Sequence, residues 1–441
     1  MTTRKFPDAM PAGPVALRPA QLAWLAAAVF VVSAGYGALM PLLPGWLGPM
    51  MPGASGSEIA RHVGFLSGVY AAGVLVGALL WGVVSDHVGH GRILIIGLIG
   101  YVVSLLLVLV PGVESVWAIY ALRATTGFFV AAVIPVVSAL VAEYTPEEQR
   151  ARRFAWLGAM SLLGFLFGPG LNVVAAWVGS WFGGAVVSAT LSARVVLGLS
   201  ALLGAVMMLG LARTLPPSRA PAAAARTDSA TSGQGRPDAL LWLNGALMFV
   251  LAGFELGIVL QGQQEAGQSS RQAALMFAEC SLVMLGVNAL LFFTSLLEKI
   301  AARTLIRAGL ILAMMGLAVL AQHRSEIWMY LGVSFTSAGT GLVLPVIAYL
   351  AAGASANKLG TTMGGLAAAA GLGQTLGSAA GGWLFGTFAQ RSFAWLTVPL
   401  LAMLLLLLAR PLWWSDVTAK FSRGATRQHG ARLTPASKGG A

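Results

Sequence analysis

The sequence predicts an all-α membrane protein with twelve transmembrane helices in two pseudo-symmetric six-helix bundles. Three observations carry that prediction. First, 57% of the 441 residues are hydrophobic and only 10% are charged, where a soluble domain carries roughly 25% charge. Too few charges remain to cover a soluble surface, and the same arithmetic excludes disorder. Second, twelve segments are long and apolar enough to cross a hydrocarbon layer about 30 Å thick, which takes roughly 20 helical residues. Third, the longest hydrophilic stretch follows the sixth segment and divides the spans six and six.

The spans are expected at about 20–44, 63–84, 93–111, 115–142, 154–178, 194–212, 239–260, 272–297, 304–321, 327–352, 361–386 and 393–412. The first is about 25 residues long and lacks a small-residue cleavage site after a short apolar core, so it is expected to be retained as a helix. The least defined stretch is 179–193, which is apolar but rich in Gly, Ser and Ala. Cys280 is the one cysteine, so no intramolecular disulfide forms.

The net charge of +12 is explained by where the charges sit. The N-terminus, the tail and the loops at 85–92, 143–153, 213–238, 298–303 and 353–360, with adjoining helix ends, hold 21 Lys and Arg; the opposite loops hold five, and Arg123 alone lies within a span. Cytoplasmic loops carry this excess, so both termini are expected in the cytoplasm and no nucleic-acid partner is implied. The expected organisation is a cytoplasmic N-terminal tail (1–19), a six-helix bundle (20–212), a cytoplasmic linker (213–238), a second bundle (239–412) and a basic cytoplasmic tail (413–441). The high Ala and Gly content points to a bacterial source, hence to the inner membrane.

The linker (RTLPPSRAPAAAARTDSATSGQGRPD) is rich in Pro, Ala, Ser and Gly and cannot bury a core. The flanking halves look alike locally. Thr126 to Pro135 lines up with Thr336 to Pro345 at an offset of 210, with both prolines inside predicted helices four and ten. Gly164 and Gly168, beside Pro169, match Gly373 and Gly377 at an offset of 209. Internal repeats in membrane proteins accompany transporters whose site lies between the repeats.

Between spans two and three the chain reads Gly82-Val-Val-Ser-Asp86-His87-Val-Gly89-His90-Gly91-Arg92. Glycines permit a tight turn and close approach. Asp86 ends a helix, where a carboxylate is unfavourable against that helix's own dipole and wants an outside partner. The loop resembles the signature loop of the major facilitator superfamily at Gly82, Asp86, Gly89 and Arg92. His87 stands where Arg or Lys is usual, and Gly91 interrupts the basic pair. The resemblance implies that Asp86 meets the N-terminus of helix eleven, near Thr361 and Thr362, as a conformational latch between the halves; a solvated turn is the alternative. Gly35-Tyr36-Gly37 and Pro41-Leu-Leu-Pro44 in helix one, and Arg123-Ala-Thr-Thr-Gly127 in helix four, are similar to elements of twelve-span drug:proton antiporters in that family. In those antiporters an arginine at this place assists proton transfer. Gly164-Phe-Leu-Phe-Gly168-Pro169-Gly170 is similar to the Gly-Pro element of its exporters, with Asn172 and Val173 where paired glycines are usual.

Four-residue spacing puts Gly64 and Gly68, Gly73 and Gly77 in helix two, and Gly373, Gly377 and Gly381 in helix eleven, on single faces where backbones approach closely. Such faces serve moving or static packing alike.

A charged side chain in a span is costly, by about 2.5–3.5 kcal/mol on insertion scales, and marks a functional candidate. Arg123, Glu255 and Glu279 qualify. The two glutamates fall at similar depth on consecutive antiparallel helices, positioned to share one aqueous cavity. Buried carboxyl groups hold a proton more readily than exposed ones, which suits loading from one side and release to the other. They are the proton-coupling or cation-binding candidates; a carboxyl hydrogen-bonded to Ser, Thr or backbone is the structural alternative. Arg123 is expected as counter-ion to a carboxyl group or an anionic substrate, or paired with backbone carbonyls. Tyr36, Asn172, Asn244, Asn288 and Gln374 are the substrate-cavity candidates, a few polar anchors in apolar walls, or else polar glue between helices.

No Walker-type phosphate loop, zinc-ligand spacing or nucleophile–base constellation occurs, so neither a cofactor nor an enzymatic role is expected. The function expected is secondary active transport by alternating access in a monomer: proton-coupled efflux of small amphipathic organic molecules, drugs or a secreted metabolite such as a siderophore. Uptake of a metabolite by proton symport is the alternative.

Overall fold

A computed structural model describes residues 17–110, 115–145, 147–183, 188–215, 238–264, 270–294, 300–354 and 359–409. Residues 1–16, 216–237 and 410–441, most of the tails and the linker, lie outside the described residues. Helices account for nearly all of what is described: α1 (Pro19–Leu39), α2 (Leu43–Leu47), α3 (Gly56–Val88), α4 (His90–Val108), α5 (Val116–Val130), α6 (Ile134–Glu143), α7 (Glu147–Gly183), α8 (Ala189–Thr214), α9 (Asp238–Gln264), α10 (Ser270–Phe293), α11 (Ala302–Gln322), α12 (Glu326–Ala354), α13 (Leu359–Phe388) and α14 (Ser392–Ala409).

Eleven described segments are long and apolar enough to cross a membrane, and the last, Gly364–Ala409, has 46 residues. At about 1.5 Å per residue that is far more than one crossing. It holds two helices, α13 and α14, joined by a 3-10 turn at Ala389–Arg391 in which Ala389 takes φ +48°. The twelve expected membrane helices are therefore present. Leu79, Val83, Val173, Leu376 and Leu405 are exposed, apolar surface of a kind suited to lipid and unsuited to water.

Boundaries shift where caps outrun hydropathy. Helix α3 starts at Gly56 rather than 63 because Ser55 caps it: the Ser55 side chain accepts from the Glu58 amide and the Glu58 carboxylate accepts from the Ser55 amide. Ser188 likewise starts α8 at Ala189 rather than 194. The stretch after 178 extends α7 to Gly183. Span one is α-helical only to Leu39; Pro41, Pro44 and Pro49 lack N–H donors, and the chain continues as 3-10 turns around the short α2.

Span four is present at Val116–Val141, but its helix is interrupted within it. The chain turns at residues 131–133, and α6 restarts at Ile134 with Pro135 in its first turn, where a proline is accommodated. Pro135 thus breaks the helix it was expected to sit within, whereas its counterpart Pro345 lies inside the unbroken α12.

Corresponding helices pack in corresponding pairs. In the first half α1 packs on α7, α3 on α5, α4 on α5 and α4 on α8; in the second α9 packs on α13, α10 on α12, α11 on α12 and α11 on α14. The halves meet through α3 with α13 and α7 with α10. Chain direction puts Arg18, Gly89, Tyr144 and Leu215 at one end, called here the linker end; residues 51–55 and 389–391 lie at the far end. Each end has a glutamine staple. Gln21 Nε2 donates to the Thr214 carbonyl (2.6 Å) at the linker end, and Gln390 Nε2 donates to the Leu320 and His323 carbonyls (both 2.6 Å) at the far end, satisfying helix-terminal acceptors.

Candidate functional site

Two positions stand out in the burial pattern. Residues 31–44 of the first span are all buried except Tyr36, and residues 250–261 of α9 are all buried except Glu255. Where every neighbour around a helical turn is buried, the one partly accessible side chain opens onto an internal space rather than onto lipid. Both residues sit 17 positions after the first residue of their helix, Pro19 and Asp238, about 25 Å from the linker end. Tyr36 and Glu255 lie within electrostatic range of each other. A tyrosine from one half and a carboxylate from the other thus occupy pseudo-equivalent places, each the partly accessible residue of a buried stretch.

An aromatic wall surrounds Tyr36. Its ring lies 5.2 Å from that of Tyr70 and meets Phe165 edge-on at 5.6 Å. Arg123 lies behind this wall, with its guanidinium carbon 4.4 Å from the Tyr70 ring centroid, a cation–π contact. Tyr36, Tyr70 and Tyr101 all lie within electrostatic range of Arg123. Arg123 is 6% exposed, and its Nε and Nη2 have no hydrogen-bond partner among the described residues. It pairs with neither a described carboxylate nor a described backbone carbonyl through those atoms.

Glu279 is placed differently from Glu255. It accepts a hydrogen bond from the Ser334 hydroxyl of α12 at 2.5 Å through Oε1, while its buried Oε2 has no described partner. No described residue hydrogen-bonds Glu255. Both carboxyl groups lie within electrostatic range of the buried Cys280. Among the cavity candidates, Asn244 is buried, and its Nδ2 donates to the Leu366 carbonyl of α13 at 2.9 Å. Asn172 is half-buried with a partnerless Oδ1, and Asn288 and Gln374 are half-buried without a hydrogen bond to a described residue.

The glycines mark where helices touch. A Cβ on Gly164 would lie 2.5 Å from the Phe30 carbonyl oxygen, and one on Gly168 would lie 2.8 Å from the Ala38 nitrogen, so α7 lies directly on α1. Pro169 interrupts α7 beside this contact. Gly373 and Gly377 meet Gly245 and Phe249 backbone in the matching α13–α9 contact. Helix α3 divides its glycines. Gly73 and Gly77 face Ala124 and Phe128 of α5, whereas Gly64 and Gly68 face Gly382 and Thr375 of α13 in the other half. Contact between α3 and α13 runs from Ser57 against Gly386 at the far end to Leu75 against Gly371; further along, Gly82 and Gly364 have no described atom within 4 Å of an added Cβ.

Gly82 makes no close approach to any described atom. Gly89 does what its residue type suggests: it takes φ +98° and ψ 135° at the corner between α3 and α4, a conformation open essentially to glycine alone. Arg92 and His87 are exposed, and His90 Nδ1 lies 3.1 Å from Glu143 Oε2 across the linker end. The side chains of Asp86, Thr361 and Thr362 fall outside the described residues, so the latch expected of them is not described.

Tyr70, Tyr101 and Phe165 escaped the sequence reading. Aromatic residues in an apolar span carry no periodic signal. The available clue is chemical: tyrosines buried in spans need something for their hydroxyls to meet, and Arg123 is the lone mid-span cation. Gly35 supplies the room, since a Cβ there would lie 2.7 Å from the Tyr101 hydroxyl.

Comparison with known proteins agrees with this architecture. Solved structures that align over most of the chain include the human organic anion transporter MFSD10 (TM-score 0.66, 21% identity, 88% of this chain and 100% of that one). A D-xylose-proton symporter aligns with TM-score 0.68 and 16% identity over 87% of this chain and 96% of that one. Likenesses at these identities show the fold. Among curated relatives, the class B tetracycline resistance protein of Escherichia coli is 33% identical over 135 residues, 31% of this chain and 32% of that protein. The quinolone resistance protein NorA of Staphylococcus aureus is 30% identical over 144 residues, 33% of this chain and 35% of that protein. The matched stretch spans about a third of each curated relative. The family model described as Major Facilitator Superfamily matches residues 25–321, two-thirds of the sequence, so this multi-pass membrane chain belongs to the major facilitator superfamily and is a transporter rather than an enzyme.

Proposed function

We propose that the chain exports small amphipathic organic molecules, drugs or a secreted metabolite such as a siderophore, in exchange for protons. It works as a monomer in a bacterial inner membrane, with both termini and the linker end in the cytoplasm. The observation that carries the reading is Glu255: an ionisable carboxyl, free of described hydrogen bonds, in the one accessible position of an otherwise buried turn, facing Tyr36 of the other half. A carboxyl group exposed to a shared interior space is placed to exchange a proton with whichever side that space opens to. In this orientation the α3–α13 contact seals the outer side, and release from that seal is the step that admits external protons. Export is favoured over uptake because the curated relatives are named for resistance to tetracycline and quinolone.

Proteoliposomes with an imposed pH gradient test the reading, with ethidium as the probe. The native chain accumulates or expels ethidium only while the gradient lasts. Glu255→Gln loses that dependence, and Glu279→Gln, whose carboxyl is tethered to Ser334, loses less. Gradient-driven ethidium movement that survives in Glu255→Gln overturns the assignment.

A further inference from the structure

The buried guanidinium of Arg123 poses a chemical question that packing does not answer. Arginine stays protonated in proteins, and a charge taken out of water without a counter-ion is costly. Tyr70 offsets part of that cost through its ring face, but a ring accepts nothing from the guanidinium edge. The two atoms left without partners are Nε and Nη2. In arginine these two N–H groups point the same way, side by side, and form one edge of the planar fork. That edge matches the two oxygens of a carboxylate and binds them through parallel charge-assisted hydrogen bonds. What is unsatisfied is therefore a complete bidentate receptor.

The surroundings restrict what fills it. No carboxylate among the described residues reaches these nitrogens. The guanidinium carbon lies over the Tyr70 ring, which packs against Tyr36, and Tyr36 is the accessible member, within electrostatic range of both Arg123 and Glu255. A molecule in the space between the halves reaches the edge by displacing aromatic side chains, and its own apolar body replaces their contacts. Water gains little from the same exchange, because it cannot replace the apolar contacts.

We propose that the Nε and Nη2 edge of Arg123 is the receptor for a carboxylate on the transported molecule, so that the preferred cargo is an amphipathic organic acid or zwitterion. The proposal rests on the exporter reading for its setting and deepens it by naming the cargo's anionic group. Affinity is set by the fork rather than by charge alone: lysine at position 123 keeps the charge and loses the paired geometry.

The test uses the full purified chain in lipid nanodiscs at a pH where carboxylates are ionised. A quinolone carboxylic acid and its methyl ester are titrated separately, and the ratio of their affinities is read. The acid is expected to bind roughly tenfold or more tightly than the ester, the worth of a charge-assisted hydrogen bond. In Arg123→Lys the ratio falls to what a single point charge gives, and in Arg123→Gln it falls to about one. Equal binding of acid and ester by the native chain overturns the proposal without recourse to any variant, as does an unchanged ratio in Arg123→Lys. Binding of neither compound also overturns it. The exporter reading is judged separately by ethidium in proteoliposomes: gradient-driven ethidium export with no acid preference sinks the carboxylate receptor alone. Acid preference without gradient-driven export of either ethidium or the quinolone acid sinks the exporter reading alone.

Discussion

Gly64 and Gly382 hold the two halves together backbone to backbone, and adding one methyl group to either is the sharpest perturbation available. A Cβ on Gly64 would lie 2.6 Å from the Gly382 Cα and 2.8 Å from the Ser378 carbonyl oxygen; one on Gly382 would lie 2.5 Å from the Gly64 Cα and 2.7 Å from the Ala60 oxygen. Carbon atoms rest at about 3.5–4.0 Å, so the helices must separate by about 1 Å. The atoms in the way are backbone and cannot rotate aside. Overpacking of this kind costs about 1–3 kcal/mol, and the cost falls on the form in which α3 and α13 touch. A form with these helices apart is spared it, while the better helix propensity of alanine is gained by both forms alike. The equilibrium should therefore shift toward far-end opening by about five- to 150-fold. Spin labels at Gly56 and Thr387, near the far ends of α3 and α13, report the change by pulsed electron resonance, and the buried Cys280 is left in place. Gly64→Ala and Gly382→Ala should each move the distance distribution to longer values and slow transport. Gly170→Ala, where no described atom lies within 4 Å of the added carbon, is the control. A Gly64→Ala distribution that coincides with that of the native chain would refute the claim that bare backbone sets the contact.

Three further outcomes follow from the geometry. Glu255→Gln should abolish gradient-driven ethidium movement in proteoliposomes while the chain folds normally, since no described hydrogen bond is lost. Gly89→Ala should destabilise the corner between α3 and α4 by about 1–3 kcal/mol, because φ +98° is closed to a residue with a Cβ; a thermal melt in detergent equal to that of the native chain would contradict this. Asn244→Leu should lower stability by about 1 kcal/mol, removing the inter-helix hydrogen bond to the Leu366 carbonyl, yet leave the ranking of transported compounds unchanged; an altered ranking would return Asn244 to the cavity wall.

The twelve spans were legible because hydropathy and backbone satisfaction act together in a bilayer: a lipid-exposed segment has to close its hydrogen bonds within itself. Helix ends were less legible, since Ser55 and Ser188 cap helices several residues outside the apolar runs. Pairs of glycines at four-residue spacing announced close packing, but not which neighbour each pair meets; Gly64 and Gly73 lie nine residues apart on one helix and serve different interfaces. Glu255 and Arg123 could be picked out because charge in a span is costly wherever it occurs. The tyrosines around Arg123 could not, because their role depends on three helices distant in sequence converging at one depth. Asn244 and Asn172 look alike in the chain, and only tertiary placement separates a residue tied to a carbonyl from one whose oxygen has no partner.

The break at residues 131–133 makes the two repeats mechanically unequal. One repeat contains an elbow beside Pro135, while its twin, with Pro345 carried inside a continuous rod, has none. A swap between outward and inward postures need not follow mirror-image trajectories, because the two repeats differ in local helix geometry at matching positions. Slack introduced at the elbow and slack introduced near Pro345 should then alter the transport cycle in different phases, a division of labour that the matching segments of sequence conceal.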